Sequence, residues 1–231
     1  LAQDFLDFEI IVIDGQKRGS DILESYGSKI SKVVTAQSSN LFAMMNQGVF
    51  HAKGEYINFL LPGEYFLSRH ALMFLTTFLE SEKPDLGYTA RVVRHSLSEP
   101  QIHLQPLSVA RLKGGKMPPT LQSFWFSRQA IYTLGKFREF YAQQAGLDLV
   151  CRFFLASTFK KAFLRRVLTD YEYQPLPPKK VLRSFFESLF ILSIHFGLSG
   201  ALLLWFAGSQ LRLLTWSWKN VKGAFWKQQR T

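Results

Sequence analysis

Two hydrophobic periods take turns along the first 160 residues. Residues 8–13 form a short run rich in β-branched side chains that closes on Asp14-Gly15, which predicts a buried strand ending in a turn. Residues 19–27 predict a helix, with Ile22, Leu23 and Tyr26 on one face. Residues 32–35 predict a second strand. In residues 40–52, Leu41, Met44, Met45 and Val49 recur at helical spacing, and Lys53-Gly54 ends the pattern. Residues 55–61 predict a third strand, stopped by Pro62-Gly63. Ser68 is placed to cap a helix whose Ala71, Leu72, Leu75 and Leu79 face inward. Residues 89–94 predict a strand, and the Pro- and Gly-punctuated residues 96–120 predict a loop. Residues 127–134 and 148–158 predict short helices. Strands that alternate with helices imply an α/β layered fold with a largely parallel sheet.

The pattern breaks at residues 175–180, where three prolines and two lysines read as a linker over 175–183. Beyond it, residues 189–208 hold no charge except any on His195. A helix of about 20 residues spans roughly 30 Å, the thickness of a bilayer core. The expectation is a hydrophobic helical segment within a membrane-associated tail, residues 184–231. It crosses the membrane, lies in the interface, or is a soluble core or oligomer helix, with Gly197, Gly200 and Ala201 open to close helix approach.

Charge sharpens that reading. The chain has 231 residues, 28 Lys+Arg and 17 Asp+Glu, yet the excess is local: residues 160–231 carry 12 bases and 3 acids. That tail also holds four of the five Trp, including Trp216, Trp218 and Trp226 among lysines. Amphipathic rings beside cations suit a lipid headgroup layer and argue against nucleic acid as the partner. The hydrophobic fraction of 47% excludes a mainly disordered chain. One cysteine, Cys151, excludes an internal disulfide framework and a multi-cysteine zinc site. Acids near the start, Asp4 and Asp7, do not fit a secretory signal. The scattered histidines show no metal-ligand spacing, and there is no Gly-rich phosphate loop or serine-nucleophile motif.

Six segments, in order, resemble family 2 glycosyltransferases of the GT-A fold. Glu9-Ile-Ile-Val-Ile-Asp14-Gly15 is similar to the family's "EIIVIDGGSTDGT" and residues 35–48, with Met45-Asn46-Gln47-Gly48, to "SEPDKGIYDAMNKG". Ala52-Lys53-Gly54-Glu55-Tyr56-Ile57 is similar to "ATGEYI". Residues 122–128 and 134–137 resemble "HQATFFRR" and "LGGFD", and Asp148-Leu149 falls at "ADYDL". The resemblance implies a GT-A-like, Rossmann-like layered sheet over residues 1–174. The family's first strand, which reads like "SIITPTYN", has no counterpart here.

The resemblance also implies roles. Asp14 would accept hydrogen bonds from a nucleotide, with Asn46 as a further nucleotide-sugar contact; Lys17 and Arg18, which stand in place of the family's Gly-Ser-Thr-Asp turn, are bases able to bind the diphosphate in place of a metal. Glu64 would be the metal ligand for Mg²⁺ or Mn²⁺, and Asp148 the catalytic carboxylate. The departures are specific. The family's "NSDD" metal segment reads Leu61-Pro62-Gly63-Glu64, and one carboxylate is a weak site for a hard cation. The family's acid in "AD" aligns with Gly146, and its acceptor-side His with Leu121. The expectation is transfer of a sugar from a nucleotide-sugar to a glycan or lipid-linked acceptor, by a membrane-associated protein with its globular domain in the cytoplasm. The alternatives are a catalytically inactive GT-A scaffold with a binding role, and a fragment of a longer glycosyltransferase.

Overall fold

The computed structural model describes residues 3–15, 20–95, 98–114, 120–172 and 177–198. Residues 16–19, which include Lys17 and Arg18, lie outside the described residues, as do 199–231 with Gly200, Ala201 and the distal tryptophans. The chain divides into two compact units. Unit 1 is Leu1–Pro106 with Pro119–Gln174, and unit 2 is Leu107–Pro118 with Pro175–Thr231.

Unit 1 holds two sheets. β1 (Ile11–Asp14) and β2 (Lys32–Thr35) pair in parallel, with Asp14 opposite Thr35. α1 (Ser20–Ser25) lies between them in the chain. α2 (Leu41–His51) follows, capped by Asn40, whose Oδ1 accepts from the Phe42 and Ala43 amides at 2.8 and 3.3 Å. The larger sheet contains β3 (Tyr56–Ile57), β4 (Tyr65–Phe66), β5 (Leu86–His95), β6 (Ser98–His103), β7 (Phe124–Ser127) and β8 (Lys161–Glu172). Its order is β3-β7-β5-β8-β4, with β6 on the second half of β5.

The expectation of a largely parallel sheet is overturned. In the larger sheet only β5 and β8 are parallel; β3 with β7, β7 with β5, β4 with β8 and β5 with β6 are antiparallel. The loop expected at 96–120 contains β6 and a short helix, α4 (Val109–Lys113). β6 tolerates Pro100 because it pairs with β5 alone, so its other edge needs no ladder donor. β8 also escaped the periodicity. Leu164 pairs with Thr89 and Val167 with Ala90, so Arg165-Arg166 bulge out of the ladder and break the alternation. The Arg166 guanidinium then sits 3.7 Å from the centre of the Phe74 ring.

Helices cover both faces of this sheet. α3 (Ala71–Glu82) buries Ala71, Leu72, Leu75 and Leu79, the four positions its period predicts, against Leu168, Trp125, Phe66 and Leu164. A Cβ on Gly87 would stand 2.7 Å from Leu79, so only glycine lets α3 come this close to β5. α5 (Arg128–Leu134) follows β7, and α6 (Ala145–Leu155) lies after it. On the face away from α3, fully buried Phe124 and Phe126 alternate with Trp125, as a strand's two-residue period requires. Phe126 meets Phe153 of α6 with ring centres 5.6 Å apart. The helix expected at 148–158 therefore begins one turn earlier, and Asp148 sits inside its first turn rather than capping it.

In unit 2 only residues 189–198 of the expected hydrophobic segment are described, and residues 189–196 belong to a helix that starts earlier in the chain. α7 (Pro178–Phe196) begins inside the stretch read as a linker, with Pro178 at its first turn, where a missing N–H costs nothing. It ends at Gly197, whose φ of +78° closes the helix. No described helix is long and apolar enough to cross a membrane. α7 packs against α4, burying Ile191, Leu192 and Ser188, while Leu112 of α4 is buried too.

Candidate functional site

β3 and β5 each run antiparallel to β7, so they point the same way, and β8 runs parallel to β5. They therefore run toward one end of the sheet, the end at which ligands sit in open α/β folds, although β3 stops level with the start of β5, Ile57 pairing with Phe126 and Phe126 with Leu86. The chain entering β7 arrives there as well: Asn58 Nδ2, just past β3, donates to the Gln122 and Phe124 carbonyls at 3.0 and 2.8 Å.

Asp14 ends β1, and its carbonyl accepts from the Ala36 amide at 2.9 Å. The backbone at Gly15 passes close to α2; a Cβ there would stand 3.2 Å from Met44 Sδ. Each residue of the Met45-Asn46-Gln47-Gly48 motif has an internal partner. Met45 is in the core. Asn46 is buried and bonds both backbone groups of Phe137: its Nδ2 donates to the carbonyl at 2.8 Å and its Oδ1 accepts from the amide at 3.0 Å. Asn46 Nδ2 also reaches Glu139 Oε1 at 2.8 Å. Gln47 Nε2 donates to the Thr35 carbonyl at 3.0 Å, fixing the exit of β2. Gly48 faces Ile13 of β1. Asn46, proposed from the sequence as a nucleotide contact, thus holds the Phe137 loop. The Phe137 ring in turn meets those of Phe42, Phe59 and Phe126 at 5.6, 5.2 and 6.4 Å.

Glu64 closes the turn after residue 61. Its Oε2 accepts from the Leu61 amide at 2.8 Å, its own amide donates to the Leu61 carbonyl at 3.0 Å, and Gly63 supplies a φ of +87°. Burial pushes the Glu64 carboxyl above its ordinary range, and the Leu61 N–H pulls it partly back. A carboxylate that burial disfavours and that is tied to its own turn is a poor ligand for Mg²⁺ or Mn²⁺. No three His, Cys, Asp or Glu among the described residues come together as a metal site. Among the described residues, the donor set at Glu64 does not fit the Mg²⁺ or Mn²⁺ that the sequence resemblance implies.

Asp148 is completely buried. Its Oδ1 accepts from Arg138 Nη1 at 3.1 Å and its Oδ2 from Arg152 Nε at 2.9 Å. Arg152 also donates to the carbonyls of Leu134, Gly135 and Lys136, at the C-terminal end of α5. Burial pushes the Arg152 guanidinium down from its ordinary value, and Asp148 counters it. A general base must reach a substrate proton; here both oxygens are engaged by guanidinium groups inside the protein. Asp148 is built as a buried ion pair that fixes the loop after α5.

The two positions where the family's polar residues are missing meet each other. A Cβ on Gly146 would lie 3.2, 3.3 and 3.4 Å from the Cδ2, Cγ and Cδ1 atoms of Leu121. The isobutyl group of Leu121 fills the volume that an acid at position 146 would need.

Sequence reasoning missed a set of buried polar residues around the middle of β5. Gln122, Ser123, Thr89, Thr169 and Asp170 are all buried there. Tyr65 donates its hydroxyl proton to Asp170 Oδ2 at 2.8 Å, and the Ser123 and Thr169 hydroxyls are 3.4 Å apart. Among the described residues neither amide atom of Gln122 has a hydrogen-bond partner, an exception among buried polar groups. Only the position of Gln122 in the β7 motif could have flagged this set, because β8 was not legible as a strand.

No family model matches the chain, and no curated protein matches its sequence. Its structure is similar to that of Staphylococcus aureus TarS, a GT-A-type glycosyltransferase. The 1–349 fragment of TarS in complex with UDP superposes with a TM-score of 0.65 at 15% identity, over 84% of this chain and 58% of that one. The same fragment in complex with UDP-GlcNAc gives a TM-score of 0.67 at 14% identity, over 84% and 59%. The chain has a glycosyltransferase fold. It spans less than two-thirds of the TarS fragments it matches, and 35% of a longer TarS chain.

Proposed function

We propose that the chain binds a nucleotide-sugar at the carboxyl end of β1 and transfers the sugar to a glycan or lipid-linked acceptor. The observation that carries this reading is the likeness in fold, over 84% of the chain, to TarS bound to UDP-GlcNAc. Fold alone does not fix chemistry, so the reading also rests on the site. Asp14 is the last residue of β1, and from there it would accept hydrogen bonds from the base or ribose. Lys17 and Arg18 follow in sequence and supply positive charge for the diphosphate. No step is assigned to a metal, since Glu64 does not make a site for one. A cytoplasmic nucleotide-sugar supply would place unit 1 on that side of the membrane.

A second reading, binding without transfer, is favoured by the Leu121–Gly146 contact, which fills the acid's place with an apolar side chain. Titration calorimetry on the full chain with UDP-GlcNAc, UDP and GDP-sugars, with and without Mn²⁺, tests both. Binding that is lost in Asp14→Ala supports the shared part. Release of UDP then separates transfer from binding alone, and absence of any nucleotide binding sinks both readings.

A further inference from the structure

α7 is apolar on two sides, and only one of them is used inside the protein. Its packed side buries Ile191 and Leu192, with Phe185 and Phe196 against Leu192. On the other side Leu182, Phe186 and Ile194 are 55%, 57% and 53% exposed. A surface helix of a globular unit normally turns polar residues outward, so an exposed apolar row calls for an occupant. The same side begins with Lys179, Lys180 and Arg183, all exposed. Arg183 pairs with Glu187 at 2.9 Å, while the two lysines make no ion pair among the described residues. Residues 175–231 contain eight Lys/Arg and one acid, Glu187.

We propose that this face of α7 docks in the plane of an anionic lipid surface, with Phe186 and Ile194 among the acyl chains and Lys179, Lys180 and Arg183 at the headgroups. Charge selects this occupant. A second copy would bring one basic segment against another, whereas anionic headgroups neutralise it. The packed side fixes the geometry: a helix that already buries Ile191 and Leu192 inside the protein can offer lipid only one side, so it lies along the surface. The long stems of the lysines let their charges stay in the headgroup layer while the apolar row sinks. This inference does not depend on the nucleotide-sugar reading.

The test uses full-length Phe186→Cys and Ile194→Cys variants carrying an environment-sensitive fluorophore. Cys151 is buried, with its thiol pushed up to about 12 mainly by that burial, so the label goes to the introduced cysteine. Phosphatidylcholine vesicles are prepared with and without phosphatidylglycerol, and some carry brominated acyl chains. On the anionic vesicles the expected result is a blue shift and quenching by brominated lipid at both positions. Lys179→Gln with Lys180→Gln should weaken vesicle binding by roughly tenfold or more without changing the melting temperature. Three results would overturn the proposal. One is labels that brominated lipid does not quench. Another is labels already shielded without vesicles, which would give the face to the chain's own later residues. The third is a concentration-dependent mass doubling with label self-quenching, which would give it to a second copy.

Discussion

The α2 corner and the Leu121–Asp148 corner belong to one fold but treat their motif residues in opposite ways. At α2 the family letters that are kept are locked: Met45 lies in the core, Asn46 holds Phe137 and Gly48 faces Ile13, while Asn40 caps the helix and Gln47 holds Thr35 beside them. Glu9 joins them by accepting from the Lys53 and Gly54 amides at 2.6 and 2.8 Å. At the other corner the letters that would need a free polar side chain have changed. Leu121 and Gly146 fill each other's space, and the retained Asp148 is enclosed by two arginines. What resembles the family is therefore largely what holds the fold together. Residues that pack or cap survive as a recognisable pattern, while residues whose only task is to meet a ligand leave no structural trace when they change.

The sharpest way to break this contrast is at Asp148. Replacing it by Ala strands Arg152, whose side chain is 11% exposed, and should cost about 3–5 kcal/mol by urea denaturation. If Asp148→Asn instead melts like the parent but abolishes UDP release, the residue is a catalytic group and the contrast fails. Asn46→Ala should come next, at about 2–3 kcal/mol, because it orphans the buried amide and carbonyl of Phe137. A loss of nucleotide affinity with no loss of stability would return Asn46 to the binding site.

The Leu121–Gly146 pair can be probed by a double-mutant cycle. Gly146→Ala places a methyl against Leu121, offsetting the roughly 1 kcal/mol of helix propensity gained, so alone it should be near neutral. In a Leu121→Ala background the clash is gone, and the same change should stabilise, a coupling of about 1 kcal/mol. Coupling of zero would mean the two residues do not exclude each other. Gly146→Asp with Leu121→His asks the functional question directly: UDP release that appears only in the double variant would show that transfer was lost through this contact.

Glu64 gives the smallest effect, and its sign is fixed. Its folded carboxyl is held above the unfolded value by burial, so it favours the folded state at pH below the ordinary glutamate range. That contribution is lost as pH rises through the folded value. Glu64→Gln keeps an oxygen for the Leu61 N–H and removes the ionisation, so it should slightly raise the melting temperature at neutral pH and change little at acid pH. Destabilisation at neutral pH, or Mn²⁺ binding by the parent that the variant lacks, would assign the carboxylate a working charge.

The legible parts of this chain were those set by neighbours a few residues apart. The inward face of α3 at Ala71, Leu72, Leu75 and Leu79, the start of α2 at Asn40 and the turn at Pro62-Gly63 all follow from local periodicity and backbone chemistry. β6 and β8 were not legible, because an edge strand with a proline and a strand bulged at Arg165-Arg166 carry no clean alternation. Strand direction could not be read either, since a parallel or antiparallel partner is chosen by contacts far apart in sequence. The same holds for the candidate site. Sequence alone marked Asp14, Asn46, Glu64 and Asp148 as polar residues at motif positions. Only the tertiary structure decided what each side chain meets: the Phe137 backbone for Asn46, the Leu61 amide for Glu64, two arginines for Asp148, and Leu121 in the space left by Gly146. Those partners lie from three to more than ninety residues away, and hydrogen bonding and packing depend on distance in space, which a linear pattern does not record.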